Sequence, residues 1–184
     1  MAVFFIADTH FGDEAIINYC GRPFENVDEM NKTLIKNWNS RVTNDDDVYI
    51  IGDVFYAGRD ASGYKNSIEI VSQLKGKLHL IAGNHDIPYL KKTEYHYLFA
   101  DVDQIRYLKH EDKNIFMCHY PMAEWSGYYR ESWHIYGHIH NHKNKAFMHM
   151  REMDRALNAG VEIIDYRPVS FEELKRHNDV FKNT

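Results

Sequence analysis

Three short apolar runs, each ending in residues that bind metal ions or move protons, constrain this chain more than any other feature. Val3–Ala7 runs into Asp8-Thr9-His10-Phe11-Gly12, Val48–Ile51 into Gly52-Asp53, and Leu78–Ala82 into Gly83-Asn84-His85-Asp86. Runs of four or five apolar residues bounded by turn residues read as buried strands. The segments between them carry helical spacing instead. Val27, Met30, Leu34, Ile35, Trp38 and Val42 recur on one helical face, with Asn26 placed as N-cap. A shorter helix is expected over Asp13–Cys20, closed by Gly21. Another carries Ile68, Val71 and Leu74 to a stop at Gly76, after a loop holding Gly58 and Gly63. Strand, helix and strand in alternation predict an α/β chain with a largely parallel sheet and helices outside it. Folds of that kind carry their chemistry where the strands end.

The second half follows a different rhythm. Val102–Leu108 and Asn114–Cys118 read as two strands joined by the polar turn His110-Glu111-Asp112-Lys113, the second running into His119-Tyr120-Pro121. An aromatic-rich loop over 123–132 follows, holding Trp125, Tyr128, Tyr129 and Arg130. Trp133–Tyr136 is a further strand that ends in Gly137-His138-Ile139-His140. Residues 156–164 suggest one more strand. Ser170-Phe171-Glu172-Glu173, just after Pro168, is a capping box that opens a terminal helix. No repeat, low-complexity tract or linker interrupts the chain, so a single domain over 1–184 is expected.

Composition narrows the function classes. A chain of 184 residues can bury roughly 70% of its unfolded surface. With 22 Lys and Arg against 27 Asp and Glu, the net charge of -5 offers no general field for nucleic acid, which is therefore possible but not favoured as a partner. No run approaches the ~20 apolar residues of a membrane span, and the start lacks the basic segment of a signal peptide. Cys20 and Cys118 form no paired motif. A cytoplasmic protein without a membrane partner is expected. The twelve histidines are the compositional oddity, compatible with a metal site.

Five stations carry the candidate chemistry: Asp8 with His10, Asp53, Asn84 with His85, His119, and His138 with His140. Each follows an expected strand, and Asp-x-His or His-x-His spacing puts both side chains on one face of an extended backbone. All the donors are oxygen or imidazole. That argues against a thiolate-rich structural zinc site and for a hydrolytic site for Mn, Fe, Zn or Ni. Without His85 there remain seven donors, more than one ion uses. Two ions sharing a carboxylate would use them, generate a bridging hydroxide and clamp a phosphate for in-line attack. His85 is then free to protonate the leaving oxygen or steady its charge.

Any one of these residues alone is more often a turn cap, a solvated side chain or a satisfied core histidine; it is the ordered set that carries weight. His79 reads as a strand residue, His96, His110, His149 and His177 as surface, and His142 as a loop residue beside the last station. Arg22 and Arg130 are candidate contacts to phosphate or leaving group.

The set Asp8-x-His10, Gly52-Asp53, Gly83-Asn84-His85-Asp86, His119, Gly137-His138-x-His140 resembles the calcineurin-like metallophosphoesterases. It is most similar to compact single-domain bacterial and phage members, which open with a similar Asp-Thr-His-Phe-Gly and an Arg-Pro-Phe, here Arg22-Pro23-Phe24. The resemblance implies a four-layer αββα sandwich with two divalent ions between strand ends. By position, Asp8, His10 and His140 would hold one ion, and Asn84, His119 and His138 the other. Asp53 would bridge them, His85 would be the catalytic acid, and Asp86 would support His85. Two positions depart from the family pattern: Cys118 stands where many members carry Gly, and Asp13 where close relatives often carry His. The function implied is a metal-dependent phosphoesterase acting on a small phosphorylated substrate, with monoester, diester and cyclic nucleotide as equal candidates. A nuclease on the same centre is the alternative. A non-catalytic interaction module is disfavoured, because every station is filled.

Overall fold

The apolar runs become neighbouring strands of one parallel sheet in a computed structural model that describes residues 1–56 and 61–184. Strands β1 (Val3–Ile6), β2 (Asp47–Ile50), β3 (Lys77–Ile81) and β4 (Asp101–Asp103) lie side by side in chain order. The crossovers are α1 (Glu14–Cys20) with α2 (Val27–Asn39), then α3 (Ala61–Val71), then α4 (Thr93–His96). Ile6 pairs with Ile50, and Ile50 with Leu80. This register aligns the carboxyl ends of β1, β2 and β3, so the first three stations leave the sheet along one edge.

The second sheet, β5-β6-β7-β8, comprises β5 (Ile105–His110), β6 (Lys113–Cys118), β7 (Trp133–Tyr136) and β8 (Ala156–Asn158). Only the β5–β6 hairpin is antiparallel. Met117 pairs with Ile135 and Ile135 with Leu157, which delivers His119 and Gly137-His138 to a common edge. The period of two divides this sheet between two cores. Ile115, Met117, Ile135 and Leu157 join the large core of the first sheet and α2. The alternate residues Phe116, Cys118, Tyr136 and Ala156 pack outward on Trp125 and on Phe147 and Met150 of α5 (Lys145–Met150). The result is two sheets flanked by helices, the expected αββα sandwich. The sheets are stitched where β1 continues: Phe5 bridges Val169, and Ala7 N–H donates to Ala159 O at 2.7 Å.

Local signals account for the helix ends. Asn26 Oδ1 accepts the Glu29 N–H at 3.0 Å, and Gly21 closes α1 with φ 62°. Ser170 and Glu173 form a reciprocal capping box at the start of α6 (Phe171–Asn183). Glu173 also accepts both of its contacts from Arg41 Nη2 at 2.7 and 2.8 Å, tying α6 to the residues just past α2.

Three expectations need correction. The strand expected over 102–108 breaks at Gln104. Asp103 pairs with Ile81 in the first sheet and Ile105 with Cys118 in the second, so one extended run serves both. The strand expected over 156–164 stops at Asn158, whose side chain takes the Gly160 N–H at 2.8 Å and turns the chain toward β1. Gly63, expected in a loop, lies in α3; Gly58 lies outside the described residues. Among the described residues, no helix is long and apolar enough to cross a membrane.

Replacing Ser170 by Ala removes one half of the capping box and is expected to lower stability by about 1 kcal/mol. Urea unfolding would report a lower midpoint with an unchanged slope; an unmoved midpoint would show that α6 does not depend on its cap.

Candidate metal centre

Backbone conformation marks the site before any side chain is considered. Nine non-glycine residues have positive φ among those described, and five of them are Asp8 (57°), His10 (49°), Asp53 (54°), His138 (72°) and His140 (51°). Each such conformation costs on the order of 1–3 kcal/mol and persists only where the surroundings impose it. Here the imposing force is close packing of strand ends. A Cβ at Gly83 would strike the Asp53 carboxylate, and one at Gly52, itself at φ 81°, would strike the His119 imidazole and the Gly83 backbone. The glycines that end the apolar runs are what let these strand ends approach.

The stations converge. Ligand atoms of Asp8, His10 and His140 lie within 4.8 Å of one another, as do those of Asp53, His119 and His138, and those of His10, Asp53 and His85. Asp53 links the groups: its Oδ2 stands 3.2 Å from His119 Nε2 and 3.7 Å from His10 Nε2. Its Oδ1 accepts the His85 N–H at 2.8 Å. The Asp8 carboxylate accepts the His138 N–H at 2.9 and 3.0 Å.

The donor set fits divalent cations on its own terms. His10 Nε2, His119 Nε2 and Asn84 Oδ1 are all buried without a hydrogen bond of acceptable geometry. Buried polar atoms are normally satisfied, and the two imidazole nitrogens, both facing Asp53 Oδ2, point to a shared partner, with Asn84 following the Gly83 that packs on Asp53. The far ring nitrogens are fixed. His10 Nδ1 meets Asp13 Oδ2 at 3.1 Å, His119 Nδ1 meets Ile51 O at 2.8 Å, and His140 Nδ1 meets Glu162 Oε1 at 3.2 Å. A carboxylate or carbonyl behind the imidazole is how metal-binding histidines are oriented.

The electrostatics agree. Burial pushes Asp53 up, but His119, the His85 N–H and His10 together outweigh it and hold the carboxyl at about 2. Burial pushes His119 down, yet the Asp53 carboxylate 3.2 Å away and the charge of Asp8 bring it to about 9. His140 rises to about 11 against its own burial through Cys20, Glu162 and Asp8. The carboxylates thus create a field that draws positive charge to this edge. His85 and His138 are both lowered, first by burial.

Two expected roles change. Asp86 was expected to hold the His85 ring. Its fully buried carboxylate instead accepts the backbone N–H groups of Asp53 at 2.8 Å, Val54 at 2.9 Å and Gly83 at 2.8 Å. Three preorganised backbone donors hold both of its oxygens, so it braces Asp53 from behind. Burial and the Asp53 charge raise its pKa to about 6 against those donors. Arg22 was a candidate phosphate contact. It is buried in an ion pair with Glu162 at 2.7 Å and donates to the carbonyls of Asp8 and Thr9 at 2.8 and 2.9 Å. Arg130 is exposed and lines a depression with Tyr107 and Phe116 on the β5–β6 hairpin.

Glu162 is the functional residue that sequence reasoning missed. It falls in the strand expected over 156–164, where a lone carboxylate in Val161-Glu162-Ile163-Ile164 is a readable signal of a buried charge. Asp13, noted only as a departure from the family pattern, both caps α1 and orients His10. His134 belongs to none of the candidate ligand groups among the described residues: it is fully buried, held near 4 by burial, and contacts Phe116 O, Tyr120 O and the Met122 N–H.

The calcineurin-like phosphoesterase superfamily domain matches residues 1–162. The chain is 34% identical over 170 residues to the uncharacterized protein MJ1445 of Methanocaldococcus jannaschii, covering 92% of this chain and 87% of that one. It is 32% identical over 94 residues to the gene 66 protein of Mycobacterium phage L5, covering 51% and 44% respectively. The crystal structure of AQ665 from Aquifex aeolicus, a protein of unknown function, is similar with a TM-score of 0.72 at 25% identity, over 95% of this chain and 97% of that one.

Glu162→Ala should weaken manganese binding by about 10- to 100-fold, the usual consequence of losing the group behind a metal-binding histidine. Calorimetric titration with manganese measures this directly, and an unchanged affinity would remove Glu162 from the centre.

Proposed function

This chain belongs to the calcineurin-like phosphoesterase superfamily, and from that premise we propose that it hydrolyses a small phosphate ester with the help of two divalent cations. Asp8, His10 and His140 would hold one cation and Asn84, His119 and His138 the other. Asp53 would serve both. The observation that supports this most strongly is the place of Asp53 Oδ2, which faces His119 Nε2 from one group and His10 Nε2 from the other. Mn, Fe, Zn or Ni suits an oxygen and imidazole set. When bound, such cations supply Lewis-acid activation of water and neutralise charge on the phosphoryl group.

The remaining work falls to the chain. His85 is the station residue that the seven-donor set does not need, and its ring centroid lies 5.1 Å from that of His10. We assign it the proton that the leaving oxygen takes up. Its backbone N–H is anchored on Asp53 Oδ1, so the acid and the shared carboxylate keep a fixed relation. Asp86, through Asp53 N–H, holds that carboxylate in place. The seven donors and His85 together favour hydrolysis over an interaction module, which needs no proton donor.

With manganese present, the protein should hydrolyse bis(p-nitrophenyl) phosphate, lose that activity to a chelator, and regain it when manganese is restored. His85→Ala and Asp53→Asn should each lower turnover by about 100-fold or more, with far-UV circular dichroism unchanged. Full turnover in both variants would overturn the assignment.

A further inference from the structure

Six tyrosines are exposed among the described residues, and three of them stand against histidines of the metal centre. The Tyr56 ring lies 4.8 Å from the His85 ring at 83°. Tyr120 lies 4.8 Å from His138 and 5.2 Å from His119. Tyr19 lies 6.3 Å from His140 and 4.5 Å from its neighbour His142. These tyrosines come from α1, from the segment after β2 and from the segment after β6, so no single apolar face accounts for their shared place around the centre. Packing does not account for them either. They remain 65%, 39% and 44% exposed for Tyr19, Tyr56 and Tyr120, whereas Tyr89, Tyr95 and Tyr136 are 1% exposed in the cores.

We infer that Tyr19, Tyr56 and Tyr120 form an aromatic collar that stacks the base of a nucleotide whose phosphate lies at the metal centre. The inference rests on the phosphoesterase reading and adds a substrate class to it. A large aromatic side chain left in water beside a polar site is a stacking platform: each base has a π-face, and one stacked base contributes at least about a fivefold gain in affinity. Tyrosine suits this because only two side-chain torsions must be fixed. The collar is also preorganised. His134 Nε2 takes the Met122 N–H at 3.3 Å, fixing the segment that carries Tyr120. Asn141 Nδ2 donates to Cys20 O at 2.9 Å, fixing the end of α1 next to Tyr19. Stacking reads the presence of a base more than its identity, so a broad base tolerance follows. Free nucleotides and single-stranded nucleic acid share this chemistry. The net charge of -5 favours the free nucleotide, since a strand gains much of its affinity from basic residues.

The test uses the manganese-loaded full chain and calorimetry, with phosphonate analogues of AMP and of ribose 5-phosphate whose P–C bond resists hydrolysis. The AMP analogue is expected to bind about tenfold tighter than its base-free counterpart. Tyr56→Ala and Tyr120→Ala should each cut that ratio by at least about threefold, and the corresponding Phe variants should keep it. Equal affinities in the unaltered protein, or a ratio untouched in every Ala variant, would overturn the collar. Manganese titration of each variant confirms an intact centre. A hexathymidylate arm separates the sources: binding tighter than the AMP analogue in 0.15 M salt and lost in 0.5 M salt assigns the collar to a strand, and weaker binding assigns it to a free nucleotide. Affinity is read without turnover, so an inactive protein would overturn the hydrolase reading while the base preference is still decided.

Discussion

One buried carboxylate holds the ends of two parallel strands in the relation that the whole site requires. Asp86 Oδ2 accepts N–H groups from both Asp53 and Gly83, and its Oδ1 accepts that of Val54. These bonds join the end of β3 to the turn after β2 and keep Asp53 at a φ of 54° that an unconstrained aspartate would leave. A carboxylate is costly to bury, and three backbone donors offset that cost only if all three stay in place. The same bonds that stabilise the turn therefore fix the position of the Asp53 side chain. Gly83 and Gly52 complete the arrangement by leaving room for Asp53 and His119.

A second brace works on the opposite side of the centre. The Arg22–Glu162 pair is buried, with side chains 0% and 1% exposed, and a buried pair of this kind stabilises little unless its remaining atoms are bonded. Here Arg22 carries the carbonyls of Asp8 and Thr9, and Glu162 Oε1 carries His140 while its Oε2 is buried without a hydrogen bond. Residues 140 positions apart in the chain thus set the turn that bears Asp8 and His10 and the ring of His140. Asp13 adds a local support to His10. Three carboxylates, Asp13, Asp86 and Glu162, hold the parts of the site from behind while Asp8 and Asp53 face inward.

The inward-facing residues were legible in the sequence because each sits next to an abrupt end of an apolar run. Period and punctuation place such residues without knowledge of the fold. The braces were not legible for the same reason reversed: their meaning lies in the partner they reach. The family resemblance implies that Asp86 supports His85, whereas its carboxylate turns back to the backbone of Asp53 and Val54. Arg22 looked like a free cation because its partner Glu162 lies far along the chain. The break at Gln104 was hidden because both of its halves are extended, and only pairing with Ile81 on one side and Cys118 on the other separates them. Capping signals at Asn26 and Ser170 are local, and they read correctly.

The five stations are proposed to form one site for two cations sharing Asp53. Anomalous diffraction from crystals soaked in manganese tests it without reference to any substrate. Two peaks roughly 3.5–4 Å apart are expected, one on either side of the Asp53 carboxylate, one next to His10 and His140 and the other next to Asn84 and His119. A single peak, or peaks away from Asp53, would contradict it.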